Sequence, residues 1–409
     1  MNMQDTELSL DISRKKSPTP SAGKTLRLVC WLVLAYFVTR HLVWVPWNTP
    51  ASDFQIYIKN LQYALEGQSP FLEQEARTGY GGYSYPTFFL SILLPFSIWP
   101  PKLAQALWWL ANLAILVAGA CGATYWLRKT ASANGLLKRL GILIPAGLLL
   151  SLAFLPSADN LRMGQNNLIV AGAMALSIAL AFRNQTALAG AAFALAILCK
   201  MQPIILLPAM IFLLGKRGLA STILCGLAYL LILWITGLWQ WESYLLFEKI
   251  PAWQRVTTTP TLSFMRLMVT DYNMEADAAL FRAGLLEKGV GLIYLAGLAW
   301  MIWKRVPARW HIAWAIPWSL LMSRFLEYHH LALLPVAYYL LAQKAEAEGR
   351  PALYIPLAAS LLLANLTARF LDMGLQGGEY LVYGSCIFAA AGAMWAAWTE
   401  GGGKREITD

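Results

Sequence analysis

The sequence predicts an all-α polytopic membrane protein of about 12 transmembrane helices, with an amphipathic helix in the first outer loop. Three observations predict it. Of 409 residues, 58% are hydrophobic and only 13% charged, against about 25% charged in soluble domains; the mean hydropathy is +0.51. Apolar runs recur over the whole length. Basic residues gather in the short connections between them, as the positive-inside rule demands. The net charge of +10 therefore reports membrane orientation; no basic-aromatic stripe accompanies it, and no nucleic-acid partner is expected. The 18 Trp and 17 Tyr suit interfacial belts.

Residues 1–24 are polar, with Arg14, Lys15 and Lys16 followed by Ser and Pro, and are expected to form a disordered cytoplasmic tail. Residues 25–398 are expected to form one multi-span domain, and 399–409 a second cytoplasmic tail. Apolar runs fall near 25–46, 85–99, 103–127, 139–156, 166–182, 186–199, 202–215, 218–239, 285–303, 310–325, 329–343, 351–371 and 380–398. The first is too long and too rich in Trp for a cleaved signal peptide. Lys24 and Arg27 place the N-tail on the cytoplasmic side, with Arg128/Lys129/Lys138/Arg139, Lys216/Arg217, Lys304/Arg305/Arg309 and Lys404/Arg405 beside it. That parity fails if every run crosses. The run 85–99, punctuated by Pro86, Pro95, Pro100 and Pro101, is therefore expected to be re-entrant. The five Cys lie in or beside apolar runs with no CxxC pair, as small core residues do.

The two longest connections, about 47–84 and 240–284, fall on the outer face, and the unusual polar residues converge there. After Ser52-Asp53, residues Phe54, Ile58, Leu61 and Leu65 share one helical face and Gln55, Lys59, Gln62 and Glu66 another; Gly67 ends the pattern. Ser52 with Gln55 spells a capping box. Asp53 then either favours the helix N-terminus through the dipole or is a reactive group. Tyr85, in Tyr83-Ser84-Tyr85-Pro86, belongs to an interfacial belt or stacks against a sugar ring. Gln165 and Asn166, in Arg162-Met163-Gly164-Gln165-Asn166-Asn167, open an apolar run at a cost unless they cap a helix or line a wet cavity. Lys200 between two apolar runs either snorkels or meets an anionic head group. In Arg324-Phe325-Leu326-Glu327-Tyr328-His329-His330, the adjacent His residues point to different helix faces, and a zinc site needs three or four ligands. Binding a phosphate or orienting a hydroxyl suits this segment better. No cofactor is expected, with a divalent metal left open.

These residues carry a family resemblance. From Asp53 to about Leu341 the chain resembles glycosyltransferase family 87, the polyprenyl-phosphate-mannose-dependent mannosyltransferases of the GT-C superfamily. The resemblance rests on several features in order: Asp53 beginning the first outer loop; Glu66-Gly67-Gln68-Ser69-Pro70-Phe71; Tyr85-Pro86; Gly164-Gln165-Asn166-Asn167; Ala189-Gly190 leading to Lys200; and the His pair before a late span. The family often has a second Pro where Thr87 stands and a Trp where Tyr328 stands. Its outer-loop Asn-Gln-Ser pattern is here Thr259-Pro260-Thr261-Leu262-Ser263, followed by Arg266.

The resemblance implies a GT-C-like bundle in the cell membrane, an outer cavity, and a sugar donor linked to polyprenyl phosphate, with a hexose, here mannose, passing to a glycolipid or glycan acceptor. An acceptor hydroxyl needs a base, and Asp53 suits that role. The leaving phosphate needs cations; Lys200, Arg266 and His330 are the candidates, with His329 second. Tyr85, Gln165, Asn166 and Glu327 would position substrate. Direct displacement inverts the anomeric carbon with a single carboxylate. The alternative is a transporter or flippase of an anionic lipid or solute, which would use intramembrane Lys and His equally well. No repeated halves with matching broken helices support it.

Overall fold

The computed structural model describes residues 20–68, 88–238, 274–323, 326–373 and 378–401, and among them every regular element is helical. In lipid, helices alone let a single apolar segment satisfy its own backbone groups. The first span is α1 (Pro20–Phe37), prolonged by a π-helical stretch Val38–Trp44 and a turn Val45–Asn48. Then come α2 (Ser52–Leu65), α3 (Phe88–Ser97) and α4 (Pro101–Thr130). The pair α5 (Leu143–Leu152) and α6 (Leu155–Met163) is followed by α7 (Asn167–Phe182), α8 (Thr186–Cys199) and α9 (Leu207–Ile235). The chain continues as α10 (Ala276–Trp303), α11 (Ala308–Leu321), α12 (Leu334–Glu348), α13 (Tyr354–Asp372) and α14 (Gly378–Gly401).

Among the described residues, six helices are long and apolar enough to cross a membrane, or seven if α5 and α6 are one bent span. The protein is thus a multi-pass membrane protein, but about 12 spans do not stand as separate long helices. α7 and α8, with 16 and 14 residues, are shorter. α3, at ten residues, reaches about 15 Å, half the hydrocarbon thickness. Its partner is α2, with which it packs.

The segment Gln202–Ile235 is one apolar stretch but not one rod. Gly215 interrupts it with φ +60° and ψ −173°, a conformation open to glycine, and Lys216-Arg217 follow. The chain folds back there. Ser221 and Thr222 donate to the carbonyls of Ala187 (2.6 Å) and Gly190 (3.1 Å) near the start of α8. Leu233 and Leu238 return to its end, packing in one cluster with Leu195 and Leu198. Gly190 lets the two backbones meet, since a Cβ there would lie 2.0 Å from the Gly218 carbonyl oxygen. Small residues at close helix contacts are the usual membrane solution, because apolar burial gives no preference for protein over lipid.

α11 is the central helix. Every residue from Trp310 to Leu321 is buried, against α9, α10, α12 and α14. Lipid-facing residues such as Leu28, Leu224, Leu231 and Leu362 lie on the outer helices and are exposed.

A polar clasp closes one end of the bundle. The carboxylate of fully buried Glu346 accepts the backbone N–H groups of Leu137 (2.8 Å) and Lys138 (3.1 Å) and the Tyr354 hydroxyl (2.9 Å). Lys344 bridges Glu348 (2.8 Å) and Glu400 (3.0 Å), and Glu400 also pairs with Arg309. Gly141, near this clasp, adjoins Arg27 of α1. The first and last described helices therefore reach the same end.

The opposite end is built from helix interruptions. α5 and α6 meet at a 45° bend. The Leu155 N–H freed there donates to the Asn365 side-chain oxygen of α13 at 2.8 Å, as an apolar surrounding requires. Replacing Asn365 by Leu is expected to lower stability by about 1–3 kcal/mol, the cost of an unpaired buried donor. Thermal unfolding in detergent checks it, and an unchanged midpoint would mean that another group satisfies the amide.

Candidate active site

α2 brings two side chains to the site from one face. Asp53 and Tyr57 are four residues apart, hence one above the other. The helix does not use the expected capping box: Ala51 is its N-cap without a side-chain bond, and the Ser52 hydroxyl donates to Asp53 Oδ1 at 3.1 Å. Its packed face is also rotated from the expected stripe. Phe54, Tyr57, Asn60, Leu61 and Ala64 are buried while Leu65 is 53% exposed. The cause is contact with α3 and α4, where Phe54 stacks on Trp108 and Tyr57 meets Phe89 edge-on. A helix on a lipid surface alone would turn its leucines outward instead.

The turn between α6 and α7 supplies the next group. Gly164 closes α6 in the left-handed conformation, φ +73°, and a Cβ there would lie 2.8 Å from Cβ of both Ala51 and Phe54. Its carbonyl accepts Trp108 Nε1 at 2.8 Å. This close approach delivers Gln165, whose Nε2 donates to Asp53 Oδ2 and whose Oε1 accepts the Tyr57 hydroxyl at 2.9 Å.

Lys200 ends α8. Its ammonium nitrogen lies 2.6 Å from Asn167 Oδ1 and 2.6 Å from His330 Nε2. Asn166 is fully buried and donates to the Cys199 carbonyl at 3.0 Å, so it holds the strand leading to Lys200. Asn160 donates to the His329 carbonyl at 2.8 Å, and its side-chain oxygen accepts from Asn167 at 2.9 Å. Among the described residues, then, Asp53, Gln165, Asn166, Lys200, Glu327, His329 and His330 come together at one end of the bundle. Tyr85 and Arg266 lie outside the described residues. The sequence reading missed Tyr57 and Asn160 as parts of this site; it had Asn167 in the Gly164-Gln165-Asn166-Asn167 motif and Asp159 among the polar residues that converge on one face. The i, i+4 spacing from Asp53 was the available signal for Tyr57.

The two His residues are not turned apart as a regular helix would place them. They sit in a 3₁₀ turn, Tyr328–Leu333, with ring centroids 4.8 Å apart. His329 Nε2 is 2.6 Å from Glu327 and Nδ1 3.7 Å from Asp159. Asp159 is also paired with Arg162 at 2.6 Å. Burial works against a charge on His329, but Glu327 and Asp159 overcome it and hold its pKa up to about 9. His330 is pushed well below the usual range by burial, with Lys200 and His329 acting in the same direction. Its Nδ1 accepts the Glu327 backbone N–H at 3.2 Å. A neutral imidazole so engaged carries its proton on Nε2, which faces Lys200. Lys200 must then present a lone pair, consistent with burial lowering it to about 7 against the pull of Glu327 and Asp53.

Glu327, His329 and His330 place one ligand atom each within 4.8 Å of one another, close enough for a metal ion. The donor set fits poorly. Both His330 nitrogens are engaged, and a metal would first have to displace Lys200. Asp53 differs from its carboxylate neighbours. Burial raises its pKa to about 6; His329 opposes the rise and Glu327 adds to it. A carboxylate poised near neutrality suits proton abstraction.

The family model of glycosyltransferase family 87 matches residues 83–326, more than half of the chain. The chain belongs to glycosyltransferase family 87. It is a membrane glycosyltransferase, with a sugar donor and an acceptor as substrates, and the transporter alternative falls away. Gln165, Asn167 and Lys200 lie inside the matched residues; Asp53, Glu327 and the His pair lie outside them. No curated protein and no solved structure matches the chain.

Proposed function

We propose that this glycosyltransferase moves a hexose, mannose first among the candidates, from a polyprenyl-phosphate-linked donor to an acceptor hydroxyl on the non-cytoplasmic face, in a bundle of about 12 crossings and re-entrant segments. One observation carries this. A buried carboxylate with a raised pKa, Asp53, shares a polar cluster with Lys200 and His330, at the end of the bundle opposite the polar clasp. The acceptor O–H gives its proton to Asp53 as its oxygen attacks the anomeric carbon. The bond from that carbon to the phosphate oxygen breaks, and its electron pair leaves with the phosphate. The displacement inverts the carbon and needs no second carboxylate.

The lipid tail would lie along the apolar flank while the phosphate meets Lys200. Phosphate supplies the counter-charge that burial withholds, so Lys200 is ammonium in the loaded site, with Asn167 as its second partner. The His329 imidazolium between Glu327 and Asp159 keeps those carboxylates from repelling the phosphate. Arg266 is retained as a further cation for the same phosphate.

Lys200→Ala removes a charge-assisted bond, about 1.5–3 kcal/mol, and is expected to lower kcat/KM for the lipid-linked donor by roughly one to two orders of magnitude. Sugar transfer by the purified protein, tried with a panel of polyprenyl-phosphate sugars, tests both this and the donor class. Transfer from a nucleotide sugar but from none of the panel would overturn the proposed donor.

A further inference from the structure

We propose that Gln165, locked by Tyr57, is the positioning residue that keeps Asp53 ionised and leaves its Oδ1 side for the acceptor. The inference rests on the assignment of Asp53 as the base. A glutamine amide can face a carboxylate with either end, and only its N–H₂ end stabilises the charged form. The Tyr57 hydroxyl decides which. It donates to Gln165 Oε1 at 2.9 Å, which turns Nε2 onto Asp53 Oδ2. Both Tyr57 and Gln165 are nearly solvent-free, 2% and 3% exposed, so the arrangement is held by packing and by the covalent spacing of Asp53 and Tyr57 on one face of α2.

Asp53 needs such a partner. The groups facing it from other elements largely oppose one another: His329 favours its charge, while Glu327 and Asp159 disfavour it. Lys200, which also senses Asp53, is committed to His330 and Asn167. On its own helix, Ser52 bonds Oδ1 from an exposed position, where an incoming hydroxyl can replace it. Oδ2 is fixed by Gln165 behind. The bond from Gln165 therefore both orients the carboxyl plane and favours the ionised base.

Infrared titration of the purified full-length protein tests this without any substrate. The Asp53 carboxyl band is assigned by its loss in Asp53→Asn. Gln165→Met keeps the volume and removes the N–H; it is expected to raise the titration midpoint by about one pH unit. Tyr57→Phe frees the amide to turn and is expected to raise the midpoint by less. Tyr57→Phe carries the test if Gln165→Met does not fold. With a polyprenyl-phosphate mannose probe, the acid limb of the rate profile is expected to move the same way, whereas a merely structural defect lowers the rate evenly at every pH. Unmoved midpoints in the folded variants overturn the role of Gln165, even if Asp53→Asn is inactive. Near-normal transfer by Asp53→Asn overturns the base assignment instead, and the infrared result would still stand.

Discussion

Asp53→Asn is expected to give a folded protein that binds its lipid-linked sugar but turns over about 10²–10⁴ times more slowly, the usual worth of a general base. The substitution keeps the shape. It removes the charge and the ability to accept a proton, and it turns one acceptor oxygen into an amide donor. Stability is expected to move the other way. The carboxyl titrates at 3.8 in its ordinary state and at about 6 when folded. Between those values the native state binds more protons than the unfolded one, so Asp53 costs stability as pH rises through that window, and the cost persists above it. At pH 7 the Asn variant should gain up to about 3 kcal/mol, since each pH unit between the two values is worth about 1.36 kcal/mol. Thermal unfolding beside sugar transfer measures both. A destabilised inactive variant would contradict the prediction as much as a fully active one. The wild-type rate should rise with pH through about 6 and then level off, because the base acts only when deprotonated.

Gly164→Ala is expected to cost most of the turnover although the residue itself carries no chemistry. A methyl there meets Cβ of Ala51 and of Phe54 at 2.8 Å. Neither is the far end of a flexible chain, so α2 itself must move. The left-handed φ adds about 1 kcal/mol for any residue with a Cβ. The larger effect is positional. Asp53 is rooted in α2 and Gln165 follows Gly164, so the movement separates the two. A misplacement on the order of 1 Å costs roughly 10²-fold in rate. The variant should bind the lipid-linked donor near normally through Lys200 and lose turnover. Equal losses in binding and turnover would show that the whole chamber had collapsed.

The helical membrane class was legible because composition and run length admit little else. The candidate site was legible in its types: an acid beginning a short helix, a lysine between apolar runs, and a His pair all meet in space. What could not be read was what each side chain faces. The capping box of Ser52 and Gln55 is a local pattern, and it is not used because the helix starts one residue earlier, with Ala51 as N-cap, and the Ser52 hydroxyl turns to Asp53. Leu65 sits outside the packed face because α3, whose run the sequence shows but whose place against α2 it does not, fixed the rotation of α2. Asn166 also ties down the Cys199 carbonyl at the end of α8, a partner that sequence spacing does not show. The His rings meet within 4.8 Å because their partners fix them, Glu327 and Asp159 for His329 and Lys200 for His330, and the repeat of the turn alone would not bring neighbours together. The reversal at Gly215 was legible, because Lys216-Arg217 part the runs 202–215 and 218–239 there.

The clasp around Glu346 and Glu400 has a mechanical consequence. Its bonds join segments on both sides of α12 and reach α11, α13 and α14. Carboxylates and cations so enclosed resist separation, since breaking one partner from another leaves a charge unpaired in poor solvent. That end therefore acts as a fulcrum. Helices of about 20 residues are levers about 30 Å long. A tilt of about 5° at the fulcrum swings the far tips by roughly 2–3 Å over such a length. That travel is about one hydrogen bond. Small rocking at the pinned end is thus enough to loosen the grip on a spent product, with no helix unwinding and no clasp bond broken.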